Sequence, residues 1–399
     1  MKSKDSSIAM FLLSPVLGII EAFKNLRNKQ SRITIFLFCL CFGFCFSVGT
    51  NRTEGSTDGI SVRIHFEQGK NLSGAQYLSY LSDYFEYDSG KQDIYTVTMA
   101  YLVGRLTSNY HFFFLALALV FAIFQIKCLY YFVKEENFTN SLVCIILTCL
   151  FLWNNIYNIN GGRFCTAAWI GLYCVFRIFH DRKPIYLLLS LITPIIHVSF
   201  VVFPILIVVT YVIKEYRKPL IALFIVSWIF SFFAEDVQVP FLHNIDLPLI
   251  LMQKVESYAD PVYIKNLSQG AGYYWVGLLF KALSRNYINL LILFIALNDY
   301  KIKDIRSLQI TRFMLVLAIV ANFGMVVPTF GNRFLYVDYA LVAYSFLVVF
   351  GDHTHRKLIY ALPFVWFMNI FRLCIDVAEV IDLGFVLPPI FSFIRYLFV

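Results

Sequence analysis

Arg163, in the stretch NGGRFCTAAW, follows Gly161 and Gly162 and opens an apolar segment expected to be helical. Three effects coincide at such a place. Glycines let the backbone come close to a ligand, the unpaired N–H groups and dipole of a helix N-terminus favour an anion, and a guanidinium grips phosphate oxygens in bidentate fashion. A diphosphate is the natural guest. Arg333, in TFGNRFLYVDY, repeats the arrangement just after Gly331, and two such arginines at one membrane face could clamp one diphosphate. For each, the bland alternative is a side chain snorkelling to the interface. Asp338 lies farther into the same apolar segment, where an unpaired carboxylate is expensive, so it is expected to pair with an arginine. His197, in TPIIHVSF, is flanked by apolar residues. Its alternatives are a core histidine hydrogen-bonded to Ser199 and a general base for a hydroxyl, a task that suits an ordinary pKa of about 6.5.

A second tier of polar residues stands in stretches expected to be loops. Asp58 and Arg63 (STDGISVR), Asp93 and Tyr95 (QDIYTVTMAYL), and more weakly Glu256, Asp260, Lys281 and Arg285 are candidates for holding sugar hydroxyls. Aromatic residues crowd the same stretches: Tyr77, Tyr80, Tyr84, Tyr95 and Tyr101 in the first, Tyr258, Tyr263, Tyr273 and Trp275 in the second. Such rings suit stacking on sugars or an interfacial belt. Missing patterns narrow the chemistry. There is no Walker loop, GxSxG, HExxH or CxxC pair, which argues against nucleotide hydrolysis, serine hydrolysis and a zinc site. No cofactor or metal is expected.

The elements that must position these groups are membrane helices. Of 399 residues, 59% are hydrophobic and 15% charged, with a mean hydropathy of +0.69, values foreign to a soluble domain of this length. A hydrocarbon core of roughly 30 Å takes about 20 apolar residues per helix. Candidate spans are 33–49, 111–133, 139–157, 164–179, 185–213, 220–234, 287–298 (short, with room to extend at both ends), 308–328, 334–350, 358–374 and a final apolar segment, 385–399. These give about ten or eleven crossings of an all-α bundle, here taken as one membrane domain over 1–399. An apolar patch from Ile8 to Ile20, broken at Pro15, lacks the order of a signal peptide and is expected to lie at the interface. The nine cysteines fall in or beside apolar runs, so a disulfide framework is not expected. The net charge of +8 comes from short basic clusters between apolar runs, which act as topology signals and lipid contacts rather than as a nucleic-acid surface.

Placing the basic turns (24–32, 177–183, 214–218, 301–306 and 356–357) on one side requires 185–213 to act as a re-entrant or twice-crossing hairpin turning near Pro194 to Ser199. The long stretches 50–110 and 235–285 then lie on the opposite, extracytoplasmic side, together with Arg163, His197 and Arg333.

The stretch NINGGRFCTAAWIGLYCVFRIFHDRKPIYLLLSLITPIIHVSFVVFPI resembles the pattern N-x-x-R-x-x-x-A, a helix, a basic turn, then H-x-S of EpsG-like polysaccharide polymerases, themselves similar to Wzy O-antigen polymerases. STDGISVR, DIYTVTMAYLVGRLTSNY and the late Arg333 are similar to further family patterns, and the resemblance covers approximately residues 30 to 375. Members often carry Gln after the first arginine, where this chain has Phe164. The resemblance implies a metal-independent, GT-C-like glycosyltransferase in a bacterial cytoplasmic membrane. It would join undecaprenyl-diphosphate-linked repeat units into O-antigen, capsule or exopolysaccharide, with a flippase and chain-length regulator as partners. Arg163 and Arg333 would hold the diphosphate, and His197 would be the base. Rival readings are a transporter of lipid-linked glycan, against which no duplicated halves are visible, and a membrane acyltransferase built on His197.

Overall fold

The computed structural model describes residues 6–50, 58–86, 94–213, 216–234 and 274–397. Ordered structure among them is helical. Two short helices, α1 (Ser7–Leu13) and α2 (Pro15–Phe23), precede α3 (Lys29–Cys45). The first expected loop folds into α4 (Asp58–Gly69), α5 (Gly74–Phe85) and α6 (Tyr95–Gly104). There follow α7 (Tyr110–Lys134), α8 (Leu142–Phe151), α9 (Phe164–Val175, prolonged by a π turn to His180), α10 (Tyr186–Ser190), α11 (Thr193–Ile196), α12 (Val202–Val212) and α13 (Arg217–Phe230). After the second expected loop come α14 (Tyr274–Asn298), α15 (Ile305–Phe323), α16 (Pro328–Phe350), α17 (Arg356–Tyr360), α18 (Leu362–Val365), α19 (Phe367–Val380) and α20 (Pro389–Leu397).

The chain is a polytopic helical membrane protein. Five helical stretches among the described residues are long and apolar enough to cross a bilayer: Tyr110–Lys134, Leu142–Gly161, Trp275–Lys301, Ile305–Val326 and Pro328–Phe350. A sixth is the pair Arg356–Val365 and Phe367–Val380, bent by 49°. Expected crossings beyond these are shorter apolar helices, among them Phe164–His180, Tyr186–Ile196 and Val198–Val212. The final segment, 385–399, does not make a span. Pro388 and Pro389 confine its helix to Pro389–Leu397, and Asp382 and Arg395 pair across its base at 3.0 Å. Of the second expected loop, 235–273 lies outside the described residues, while 275–285 is the first part of α14. Lys281 and Arg285 interrupt its apolar run and mask the helix in the sequence. In the first loop, Tyr77 and Tyr101 stack on each other at 4.2 Å and so join α5 to α6.

α15 and α16 form the centre, 83% buried over their most apolar windows, against 33% for α14. Gly331 is buried, and a Cβ there would meet the Ala321 carbonyl of α15 at 2.7 Å. This glycine therefore serves close helix packing and not approach to a ligand. The basic turns gather at one end of the bundle. The Arg27 guanidinium donates to the carbonyls of Val133, Glu135 and Glu136, the Tyr344 hydroxyl donates to Glu135 at 2.7 Å, and Asp304 caps α15 by accepting from the N–H groups of Arg306 and Ser307. The nearby Asp181 accepts from Tyr131 at 2.6 Å and pairs with Arg177.

Asp299, 3% exposed, binds both Arg217 and the buried Arg312, the latter at 3.1 Å. Removing the shared carboxylate strands a buried guanidinium, so Asp299→Ala is expected to cost roughly 3 to 5 kcal/mol. A thermal melt of detergent-purified protein checks this, and an unchanged midpoint would count against the triad as a structural tie.

Candidate active site

Opposite the basic end, a cavity of about 710 Å³ opens among α4, the turn before α9, the break at His197, α14, α16 and α19. Its wall carries Arg163, Arg333, Lys281 and Arg372 against the carboxylates of Asp58 and Asp376, together with His65 and His197. Cations therefore outnumber carboxylates, which suits an anionic guest. Charged side chains at membrane depth are costly unless they face such a chamber.

Arg163 is held by an asparagine-rich turn. The Asn154 carbonyl accepts from two buried donors, Gln125 Nε2 at 3.1 Å and Trp169 Nε1 at 3.0 Å, and the Asn154 amide donates to the Cys165 carbonyl at 3.1 Å. Asn155 caps the 3₁₀ turn Ile156–Gly161 by accepting from Tyr157 N. Gly162 ends that turn at φ 63°, a conformation that suits glycine. Arg163 then caps α9. Gly161 is exposed at the cavity, within 3.8 Å of Asp58 Oδ2 as measured from where its Cβ would stand. The Gly59 N–H donates to Asn160 Oδ1 at 2.6 Å, which fastens the start of α4 to this turn.

His197 stands where Tyr186–Ile196 and Val198–Val212 meet. α10 packs on α12, so the chain folds back as the expected hairpin. Neither leg reaches the roughly 20 residues of a full crossing, and both belong to the shorter apolar helices. The His197 ring shares a hydrogen bond of 2.7 Å with Ser199 Oγ and meets the Phe164 ring edge-on at 5.2 Å. The Arg333 guanidinium lies 5.7 Å from the centre of that same ring. The imidazole and the Arg333 guanidinium thus both lie against the Phe164 ring. α16 begins at Pro328, whose fixed φ suits a first helical turn. Arg333 therefore projects from the second turn of α16, not from its first residue.

The structure brings Arg163, Arg333, His197 and Asp58 to one cavity and sends other expected residues elsewhere. Arg63 donates to the Val48 carbonyl and lies 3.7 Å over the Tyr110 ring, a tie between α4 and α7. Tyr95 packs against the core. Arg285 approaches Met325 Sδ at 4.0 Å, one turn beyond Lys281. None of these three is in the cavity wall, and Asp93 lies outside the described residues. Among the described residues Asp338 pairs with no arginine: it is fully buried and neither carboxyl oxygen has a hydrogen-bond partner there. Sequence reasoning passed over Arg372 and Asp376, although two charges spaced i, i+4 in an apolar segment were a usable signal. No group of His, Cys, Asp and Glu among the described residues is arranged to hold a metal ion.

A helical membrane bundle with a cationic chamber at one end is the class defined so far. The chain belongs to the EpsG family, whose family model matches residues 34–388, a family of Wzy-type polysaccharide-polymerase-like proteins. No curated protein and no solved structure matches it.

Asn160→Ala removes the acceptor for Gly59 N–H, at a cost of about 1 kcal/mol. Faster amide hydrogen exchange over 58–69, with α15 and α16 unchanged, is the expected result. Unaltered exchange over 58–69 would show that Asn160 does not fasten α4.

Proposed function

We propose that this chain polymerises undecaprenyl-diphosphate-linked repeat units of a surface polysaccharide at the outer face of a bacterial cytoplasmic membrane. One observation carries the reading: Arg163, Arg333 and His197, from three separate elements, line one cavity. In the reaction, an acceptor sugar hydroxyl attacks the anomeric carbon of the donor. The new C–O bond forms as the bond from that carbon to the diphosphate oxygen breaks. The lipid diphosphate leaves with the electron pair, and the hydroxyl proton goes to His197. Diphosphate is a leaving group that needs charge neutralisation more than protonation, and the two guanidinium groups supply it where charge develops.

The hydrogen bond to Ser199 orients the imidazole, and the Phe164 ring is shared by that imidazole and the guanidinium of Arg333. In this reading Asp58, beside Gly161, holds a sugar hydroxyl, and the lipid chains extend outward between helices. A flippase would deliver the units and a chain-length regulator would limit the product.

Arg163→Ala should abolish polymer while leaving normal amounts of protein in the membrane. Polymer of ordinary length from that variant would remove Arg163 from the mechanism. His197→Ala should slow transfer by about a hundredfold or more, read as incorporation of radiolabelled lipid-linked repeat by purified protein. The same assay separates the rival transporter: chain growth supports the transferase, whereas translocation without growth overturns it.

A further inference from the structure

Lys281 and Arg372 are not needed to explain the departure of one diphosphate, yet both enter the same cavity wall. Their helices are pinned face to face. Asn369 of α19 donates to Ser284 Oγ of α14 at 2.9 Å, and Ser284 donates to the Val365 carbonyl at 3.1 Å. Lys281 lies one turn before Ser284, and Arg372 one turn after Asn369, so the two cations sit on the joined faces. Both side chains line the cavity where these faces meet. Among the described residues, Arg372 pairs with the carboxylate of Asp376 at a long 3.9 Å. Both side chains are exposed at the cavity, Arg372 to 73%, so water screens their mutual repulsion and an arriving anion meets two cations with one weak partner.

The surroundings say where that anion comes from. α19 turns Asn369, Arg372 and Asp376 to the cavity, while Phe367 and Phe371 on its other side are 63% and 56% exposed. Val380 is the one buried residue of that helix. On α14, Trp275 and Leu279 are 63% and 54% exposed. Both helices thus present apolar faces outward and cations inward, which fits a ligand with a charged head and a long apolar tail.

We infer that Lys281 and Arg372, at the lipid-facing mouth between α14 and α19, form a second phosphate subsite that takes the diphosphate head of a second polyprenyl-linked substrate from the bilayer. This rests on the polymerase reading, in which donor and acceptor are both lipid-linked. Arg163 and Arg333 hold the diphosphate that departs, and Lys281 and Arg372 hold the one that remains attached to its chain.

Geranylgeranyl diphosphate, titrated into full-length protein in phosphatidylcholine nanodiscs, tests the assignment. Wild type should bind two equivalents, Lys281→Gln/Arg372→Gln one, and Arg163→Gln/Arg333→Gln one. The single variant Arg372→Gln guards against misfolding, because that side chain is 73% exposed, and it should weaken the same equivalent. Two full equivalents in the Lys281/Arg372 double variant overturn the subsite and leave the polymerase reading standing. Two equivalents in the Arg163/Arg333 variant overturn the polymerase site instead. Phosphatidylglycerol added to the nanodisc separates the lipid sources: if it displaces the second equivalent as well as unlabelled probe does, the subsite reads any anionic headgroup and the assignment to a polyprenyl diphosphate is lost. Failure of inorganic diphosphate to compete shows that the apolar tail is part of recognition, whereas full competition overturns the lipid-facing mouth.

Discussion

Hydrocarbon tolerates a charged side chain at its centre only at a cost of roughly 3 kcal/mol or more, and that penalty arranges this molecule. Ionisable side chains gather at the two ends of the bundle, the buried Asp338 in the middle of α16 excepted. At one end their charge is consumed: Asp299 ties Arg217 to Arg312, Arg27 satisfies three carbonyls, and Asp181 and Arg177 close on each other. At the other end it is only partly compensated, around a cavity whose wall holds four cations and two carboxylates. The first arrangement stabilises and orients the fold. The second keeps positive potential available to a ligand.

Irregular backbone does the positioning at the cavity end. A chain that broke its helices in open lipid would leave polar groups without partners, so breaks occur where protein or a polar chamber can satisfy them. The asparagine turn before α9 answers its own backbone groups, with Asn155 accepting from Tyr157 N and the Asn154 carbonyl receiving two donors. The break at His197 keeps a bond from its N–H to the Thr193 carbonyl at 2.9 Å and places the ring beside Ser199. The 49° bend ahead of α19 lays that helix along the cavity. Each irregularity carries one of the polar groups that the regular helices could not have aimed inward together.

This division also explains what could be read in the sequence. Arg163, Arg333 and His197 are single polar residues in apolar surroundings, and intramembrane polarity is a strong local signal. Arg63 has the same type and a similar setting, but only the fold reveals that Val48 and Tyr110 claim it. α4 to α6 were hidden because their mixed polar and aromatic composition looks like a loop to any rule tuned for spans. α4 and α6 pack on each other and on α7, and α5 joins α6 through Tyr77 and Tyr101. Arg372 and Asp376 lay inside an expected span, 358–374 and just beyond it, where amphipathicity was averaged away. Gly331 was misjudged for a related reason. A glycine before an arginine looks the same in sequence whether it faces a ligand or, as here, the backbone of α15.

The uneven burial of the helices bears on how such a cavity is filled. α15 and α16 are 83% buried over their apolar windows and α14 only 33%, and α19 keeps Val380 alone from exposure to its surroundings. Arg163 follows an asparagine turn held by buried donors and Arg333 stands on the well-buried α16, whereas His197 sits at the break between two largely exposed helices. Lys281 and Arg372 rise from α14 and α19, which the rest of the bundle covers thinly but which are tied to each other through Ser284 and Asn369. A site for reaction and a site for entry make opposite demands on packing. On the reading proposed above, the thin cover of α14 and α19 would let a long apolar tail remain in the bilayer while the charged head that it carries reaches the cavity.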